Sequence, residues 1–129
     1  MNRKFLQMSH FLLAIIVVLF VSTKVSAQQK KVLVFTKTGG FRHTGAIIAG
    51  KKAIQQLGAE NNFAVDTTEN AGKFTPENLK QYSAVIFFCT TGDVLNDTQQ
   101  KAFEQYIRSG GGFVGTHSAA DTEYDWPWY

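Results

Sequence analysis

The stretch AVIFFCTTGDVLNDTQQKAFEQYIRSGGGFVGTH, residues 84–117, decides the fold class. It begins with the continuous apolar run 84–88, which is typical of a strand buried on both faces. Asn96 or Asp97 then caps a helix, three glycines end that helix, and residues 113–116 begin another strand. A strand, a helix and a strand in this order predict two parallel strands joined by a right-handed crossover.

The same alternation extends towards the N-terminus. Short apolar runs predict strands at residues 32–35 and 63–65, the second being the weaker. Between them the spacing of apolar residues predicts a helix over residues 44–57, with Thr44 as its cap and Gly58 as its C-terminal stop. A further short helix opens at Thr75. The order β-α-β-α-β-α-β predicts an α/β fold, an incomplete three-layer sandwich with a flavodoxin-like parallel sheet of order 2-1-3-4.

The N-terminus has the three parts of a secretory signal peptide. Arg3 and Lys4 are basic, residues 11–21 are an unbroken apolar run, and residues 25–27 (Val-Ser-Ala) place small residues at a cleavage site. The apolar run is shorter than the ~20 residues of a membrane-spanning helix, although an uncleaved anchor is the alternative. We expect residues 1–27 to be removed and the protein to be exported, to the periplasm or beyond the cell.

The remaining residues, 28–129, form one expected domain with balanced charge. Three of the chain's 13 basic residues lie in the signal, which leaves 10 basic against 10 acidic residues. This balance gives no electrostatic reason to expect nucleic acid or a membrane surface as a partner of the mature form. The single cysteine, Cys89, allows no intramolecular disulfide, and its apolar surroundings predict a core residue.

The polar side chains that follow the predicted strands indicate a site. In open parallel sheets, ligands bind beyond the carboxyl ends of the strands. His43 and His117, the two histidines of residues 28–129, both fall there, together with Arg42, Asp93 and Asp121. If the strands are placed correctly, these five side chains converge on one edge of the sheet. Histidines beside a carboxylate suit proton transfer near neutral pH.

Each of these residues also has a structural alternative. His43 can be a surface residue, and His117 can be a structural histidine at a sharp strand-to-helix turn. Arg42 can pair with a surface acid instead of a ligand, and Asp121 can cap a helix. Two histidines and an aspartate can also hold a divalent cation, but no HxxxH spacing supports this.

Three stretches together resemble one known family. They are the KVLVF run with TGGFRH at 31–43, VIFF with TGDVL at 85–95, and QKAFEQYI with GGGFVGTHSA at 100–119, and the similarity continues to Tyr129. The chain thus resembles the ThuA-like (trehalose utilisation) family over residues 31–129. The resemblance implies a class I glutamine amidotransferase-like fold and a role in sugar or keto-glycoside catabolism. His117 occupies the position of the amidotransferase cysteine, so glutaminase activity is not expected.

The resemblance and the strand-end positions together suggest roles for particular residues. We expect His117 to act as acid or base or to orient a ligand, assisted by His43 and Asp121. Substrate contacts are expected from the following residues: Arg42, Gly40, Thr91, Gly92, Ser118 and Tyr124. The expected partner is a small sugar or glycoside, no metal is assigned, and the sequence identifies no cofactor.

The C-terminal aromatic segment, residues 126–129, leaves two further alternatives open. Its Trp126 and Trp128 have nothing obvious to pack on and would suit a non-catalytic carbohydrate-binding module. Domains of the family run to roughly 200 residues or more, an ordinary size for an α/β domain. We therefore expect a truncated domain, and an inactive remnant is the second alternative.

Overall fold

The computed structural model describes residues 28–129, so the predicted signal peptide lies outside the described residues. Four strands alternate with three α-helices, one 3₁₀ turn precedes the second helix, and another follows the last strand. The elements are β1 (Lys31–Phe35), α1 (Thr44–Glu60), β2 (Ala64–Thr68), the turn Ala71–Lys73, α2 (Pro76–Leu79), β3 (Ala84–Phe87), α3 (Asp97–Arg108), β4 (Gly112–Gly115) and the turn Ala119–Asp121. Within these residues, no helix is long and apolar enough to cross a membrane.

The four strands form one parallel sheet of order β2-β1-β3-β4. Leu33 of β1 pairs with Val85 of β3, which pairs in turn with Phe113 of β4. The predicted α/β class, parallel sheet and strand order are therefore confirmed. Because the strands are parallel, the loops that follow β1, β3 and β4 all leave the sheet at the same edge.

The helix caps read from the sequence are present in α2 and α3. Asn96 and Gln99 form a capping box, with 3.0 Å from the Gln99 amide to the Asn96 side chain and 2.9 Å for the reciprocal bond. At α2, the Thr75 hydroxyl accepts a bond from the Asn78 amide, and Pro76 occupies the first helical position. These side chains satisfy amides that have no partner within the helix.

Helix α1 differs from its prediction at both ends. The cap residue is His43 rather than Thr44, and its side chain makes no capping bond. Gly58 does not stop the helix, which continues to Glu60. The glycine is instead buried where the helix meets the sheet, and a Cβ atom there would lie 2.7 Å from the carbonyl oxygen of Phe63. The predicted stop is wrong because this glycine serves close packing within a helix.

Strand β2 covers residues 64–68, three residues beyond the predicted 63–65. The added residues, Asp66, Thr67 and Thr68, are polar and half-buried, as suits a strand with one neighbour at the edge of the sheet. A pattern search for buried apolar runs does not find such an extension, since its stability comes from pairing with β1.

One face of the sheet carries an aromatic core. Phe87 of β3 stacks on Phe103 of α3 with 5.5 Å between ring centroids, and Phe74 meets both rings edge-on. The C-terminal aromatics join this core: Tyr129 stacks on Phe87 at 5.8 Å, and Trp126 lies against Phe103. The expectation that these aromatics have nothing to pack on is therefore wrong.

Candidate functional site

The loop after β1 is fastened to the loop after β3. The amide of Gly39 donates to the carbonyl oxygen of Thr91 over 2.6 Å. The Thr91 hydroxyl donates to the carbonyl of Phe41 over 2.9 Å and accepts from the amide of Gly40. A Cβ atom at Gly39 would lie 2.9 Å from the carbonyl oxygen of Asp93, so only glycine permits this approach. These bonds fix the backbone that carries residues 40–43.

Thr91 and Gly40 thus have a positioning role in this structure. The Thr91 side chain is 2 % exposed, and its hydroxyl both donates and accepts a hydrogen bond within the loop pair. Direct contact of these two residues with substrate stays a prediction. The sequence placed them correctly at the site edge but did not show that they hold one loop to the other.

The loop after β4 is fastened to the same β3 loop. Gly92 has φ +66°, a left-handed conformation that glycine adopts without strain. Its amide donates to the carbonyl of Asp121 and its carbonyl accepts from the amide of Glu123. Nearer to the end of β3, the amide of Cys89 donates to the carbonyl of His117 over 2.8 Å. The backbones of all three loops are therefore held as one unit.

These connections bring the two predicted histidines into contact. His43 and His117 have ring centroids 4.7 Å apart with 73° between their planes. His43 precedes the first residue of α1, and His117 follows β4. The ring of Phe41 meets His43 at 4.8 Å and 74°. The convergence predicted from the strand ends is thus observed for the histidine pair, and an aromatic side chain that the prediction omitted adjoins it.

A cavity of about 790 Å³, which is widely open to solvent, runs from His117 along β4. Ser118, Asp121, Tyr129 and Phe113 contribute to its lining. Burial, followed by the charge of a nearby glutamate, raises the pKa of Tyr129 to about 12, so this phenol stays neutral at physiological pH. The cavity therefore offers an imidazole, a hydroxyl and a carboxylate beside an apolar wall. Such a lining suits a molecule that carries both hydroxyl groups and C–H surfaces.

Arg42 points to a different neighbour. Its guanidinium lies 2.8 Å from the carboxylate of Glu69, and Lys51 lies 3.4 Å from the same oxygen. The hydrogen bond from Arg42 is the main reason why the pKa of Glu69 is lowered. The structure thus shows the surface ion pair that was the alternative for Arg42, and a contact with substrate stays a prediction. Tyr124, also predicted to bind substrate, is 65 % exposed.

Sequence reasoning missed Glu123, which is 3 % exposed and has φ +57°. One carboxylate oxygen accepts bonds from the amides of Val94 and Leu95 at 2.9 and 2.7 Å, and the other accepts from the Gln100 side chain. The carboxylate thus joins the chain after β4 to the start of α3. No periodicity marks this residue, because its partners are backbone amides distant in sequence.

Two kinds of chemistry find little support in the described residues. Cys89 is buried at φ +54°, and burial raises the pKa of its thiol, so it is not an activated nucleophile. Within residues 28–129, no three His, Cys, Asp or Glu side chains are grouped to hold a metal ion.

Comparisons with known proteins agree with this architecture. A family model described as trehalose utilisation (ThuA) matches residues 31–129. A crystal structure of a ThuA-like protein from Bacteroides uniformis ATCC 8492 superposes with a TM-score of 0.67 at 27% sequence identity. The match covers 83% of this chain and 44% of that one, so this chain spans less than half of its solved relative. Comparison with curated proteins gave no match. The chain belongs to the trehalose utilisation (ThuA) family.

Proposed function

We propose that this protein is exported and acts as an enzyme on a sugar or glycoside, with keto-glycosides as the favoured substrates. The observation that carries the proposal is the contact of His43 with His117 at the carboxyl edge of the sheet, beside a cavity that also takes in Ser118 and Asp121. The family description, trehalose utilisation, supports a sugar as the ligand class. The signal-peptide pattern of residues 1–27 supports export.

A histidine pair suits the chemistry of a keto-glycoside. The ketone acidifies the C–H bond between it and the glycosidic carbon, so a positioned imidazole is a sufficient base. In the proposed reaction, one imidazole takes that proton and the other donates a proton to the departing glycosidic oxygen. A C–H and a C–O bond break, a C=C bond forms, and no external oxidant or reductant is needed. We assign the reacting position to His117, because it lines the cavity.

Glutaminase activity is not part of this proposal. That reaction needs an activated thiolate, and the residue at the strand-to-helix turn after β4 is His117. The cysteine that the chain does contain, Cys89, is only 1 % exposed, and burial raises the pKa of its thiol. Both observations favour proton transfer over nucleophilic thiol chemistry.

The test is turnover of methyl 3-keto-β-glucopyranoside by the purified protein. We expect His117→Ala to lower kcat by about 100-fold or more, the usual contribution of a positioned acid or base. Asp121→Asn should lower turnover less. Asp125→Asn, which changes another exposed aspartate four residues along the chain, is the matched control and should leave turnover unchanged. Undiminished turnover in His117→Ala would contradict the assignment. Export is checked by the mass of the secreted protein, which should begin at Gln28.

A further inference from the structure

Phe41 is the most exposed large hydrophobic side chain of the described residues, at 72 %. Exposure of single apolar residues is common on protein surfaces and by itself means little. Phe41 differs because its position is fixed: its carbonyl oxygen accepts the Thr91 hydroxyl bond, and the preceding two amides also bond to Thr91. The backbone that carries the ring is therefore fixed, and the ring itself is largely exposed beside His43.

The rings of Phe41, His43 and His117 form a row, in that order. Its centroid lies 4.8 Å from that of His43, which lies 4.7 Å from that of His117. Successive planes are nearly perpendicular, at 74° and 73°, which is the edge-to-face arrangement that aromatic rings favour. The row thus leads from the cavity at His117, through His43, to an apolar ring open to solvent.

This arrangement places an exposed aromatic ring two side chains away from the cavity residue His117. A pyranose presents hydroxyl groups at its rim and C–H groups on its faces, and an aromatic side chain provides a flat partner for such a face. If the reacting ring lies at His117, as in the proposed function on which this inference rests, the leaving ring extends along the row. We propose that Phe41 forms a subsite that stacks on this second ring, which makes disaccharides better substrates than simple methyl glycosides.

The consequence is a selective effect of Phe41 on one substrate. Stacking on a sugar ring that leaves with the glycosidic oxygen contributes only when that ring is present. Removing Phe41 should therefore weaken the use of a disaccharide and leave a methyl glycoside unaffected. An effect transmitted through His43 would instead lower turnover of both substrates, because His43 belongs to the reacting pair.

The experiment compares 3-keto-cellobiose, oxidised on its non-reducing ring, with methyl 3-keto-β-glucopyranoside. We expect Phe41→Ala to lower kcat/KM for 3-keto-cellobiose about 3- to 10-fold, mainly through KM, and to change the methyl glycoside by less than about twofold. Phe41→Trp should restore the preference. Leu57→Ala, at an apolar residue 51 % exposed near the other end of α1, is the matched control and should affect neither substrate.

The outcomes separate this inference from the proposed function. Equal losses for both substrates, or none for either, would overturn the subsite while leaving His117 as the reacting group. If the wild-type protein turns over neither substrate, the proposed reaction is wrong. The subsite is then tested separately, by calorimetric measurement of cellobiose binding. Weaker cellobiose binding in Phe41→Ala would then support the subsite, and equal binding would refute it.

Discussion

The two faces of the sheet are covered in different ways. On one face, Phe87 of β3 meets Phe74 and Phe103 in a continuous aromatic cluster. On the other, α1 lies alone, and only Ile47 and Gly58 of its 17 residues are buried. Successive side chains of a strand point to opposite faces, so each strand contributes residues to both layers. The aromatic face holds most of the packed apolar surface.

The candidate site lies at the carboxyl edge of the sheet and draws on both faces. Tyr129 and Phe113 line its cavity from the aromatic face, and His43 comes from the thinner face, where it immediately precedes α1. Helix α1 approaches the sheet closely at Gly50 and Gly58, and Ile47 is its one buried large side chain. At Gly50, a Cβ atom would lie 2.1 Å from the ring of Phe88. Val114 of β4, which alternates onto this face, is 46 % exposed. The stability of the fold therefore depends mainly on the aromatic face, whereas the first histidine lies beside the helix of the thinner face.

Removing the centre of the aromatic face should destabilise the protein most. Phe103 is 1 % exposed and contacts Phe87 and Trp126, among other rings. We expect Phe103→Ala to lower the free energy of unfolding by about 3–5 kcal/mol, because it removes apolar contacts and leaves a cavity. Urea denaturation followed by tryptophan fluorescence measures the change.

A matched substitution on the other helix sharpens this result. Ile48→Ala in α1 removes an apolar side chain that is 54 % exposed, so its effect should stay within about 0.5 kcal/mol. Should Phe103→Ala prevent folding, Phe103→Leu provides a smaller loss that can still be measured. Equal losses for Phe103→Leu and Ile48→Ala would show that the two faces do not differ as described.

The second effect tests how closely α1 approaches the sheet. Gly58→Ala would place a Cβ atom 2.7 Å from the backbone oxygen of Phe63, which cannot move without disturbing the chain before β2. Gly50→Ala instead meets the end of the Phe88 ring, a side chain that can turn. Alanine favours a helix over glycine by about 1 kcal/mol in both cases. We expect a net loss of about 1–3 kcal/mol for Gly58→Ala and little change for Gly50→Ala.

Thermal unfolding of these two variants checks the difference. Since both substitutions gain the same helix propensity, their comparison isolates the contact with the sheet. A Gly58→Ala variant as stable as the wild type would mean that α1 is free to shift away from β2. In that case, the thinner face would be looser than the distances indicate.

Gly58 also shows where sequence reasoning reaches its limit. The alternation of apolar runs and helical spacing was sufficient to predict the parallel sheet and its order, because burial on both faces leaves a strong pattern. The cap expected at Asn96 or Asp97 was also a local signal, and the structure places it at Asn96. A glycine within a helix, however, has the same local signal as a stop, and only its distance to Phe63 distinguishes the two.

Some features of the candidate site were likewise predicted from the sequence, and others were not. The convergence of His43 and His117 followed from the parallel topology, because both residues follow strands that end at one edge. The buried Glu123 carboxylate was not found, and the surface ion pair of Arg42 was an alternative without a named partner, since both depend on residues distant in sequence. Exposure of Phe41 was equally invisible, because an apolar residue in a loop is usually expected to pack inward.

The third effect is a loss of stability at alkaline pH, which develops gradually and is smallest near pH 10. Burial and the hydrogen bond to Asp66 raise the pKa of Tyr82 to about 12, and burial likewise raises the pKa of Tyr129 to about 12. Both tyrosines pack with the aromatic core. In the unfolded chain they ionise near their ordinary pKa of 10.0, whereas in the folded chain they stay neutral. Their contribution is complete below about pH 10 and is lost as pH rises towards about 12.

Urea denaturation at a series of pH values above about 9 measures this loss. Tyr82→Phe removes one ionisable group and should flatten the decline, although it also removes the 2.8 Å bond to Asp66 and so lowers stability at neutral pH. Tyr124→Phe alters a side chain that is 65 % exposed and should leave the decline unchanged. A pH profile identical for all three proteins would mean that alkaline unfolding begins elsewhere. A flattened profile in Tyr82→Phe alone would assign alkaline unfolding to the aromatic face, because that tyrosine belongs to its core cluster.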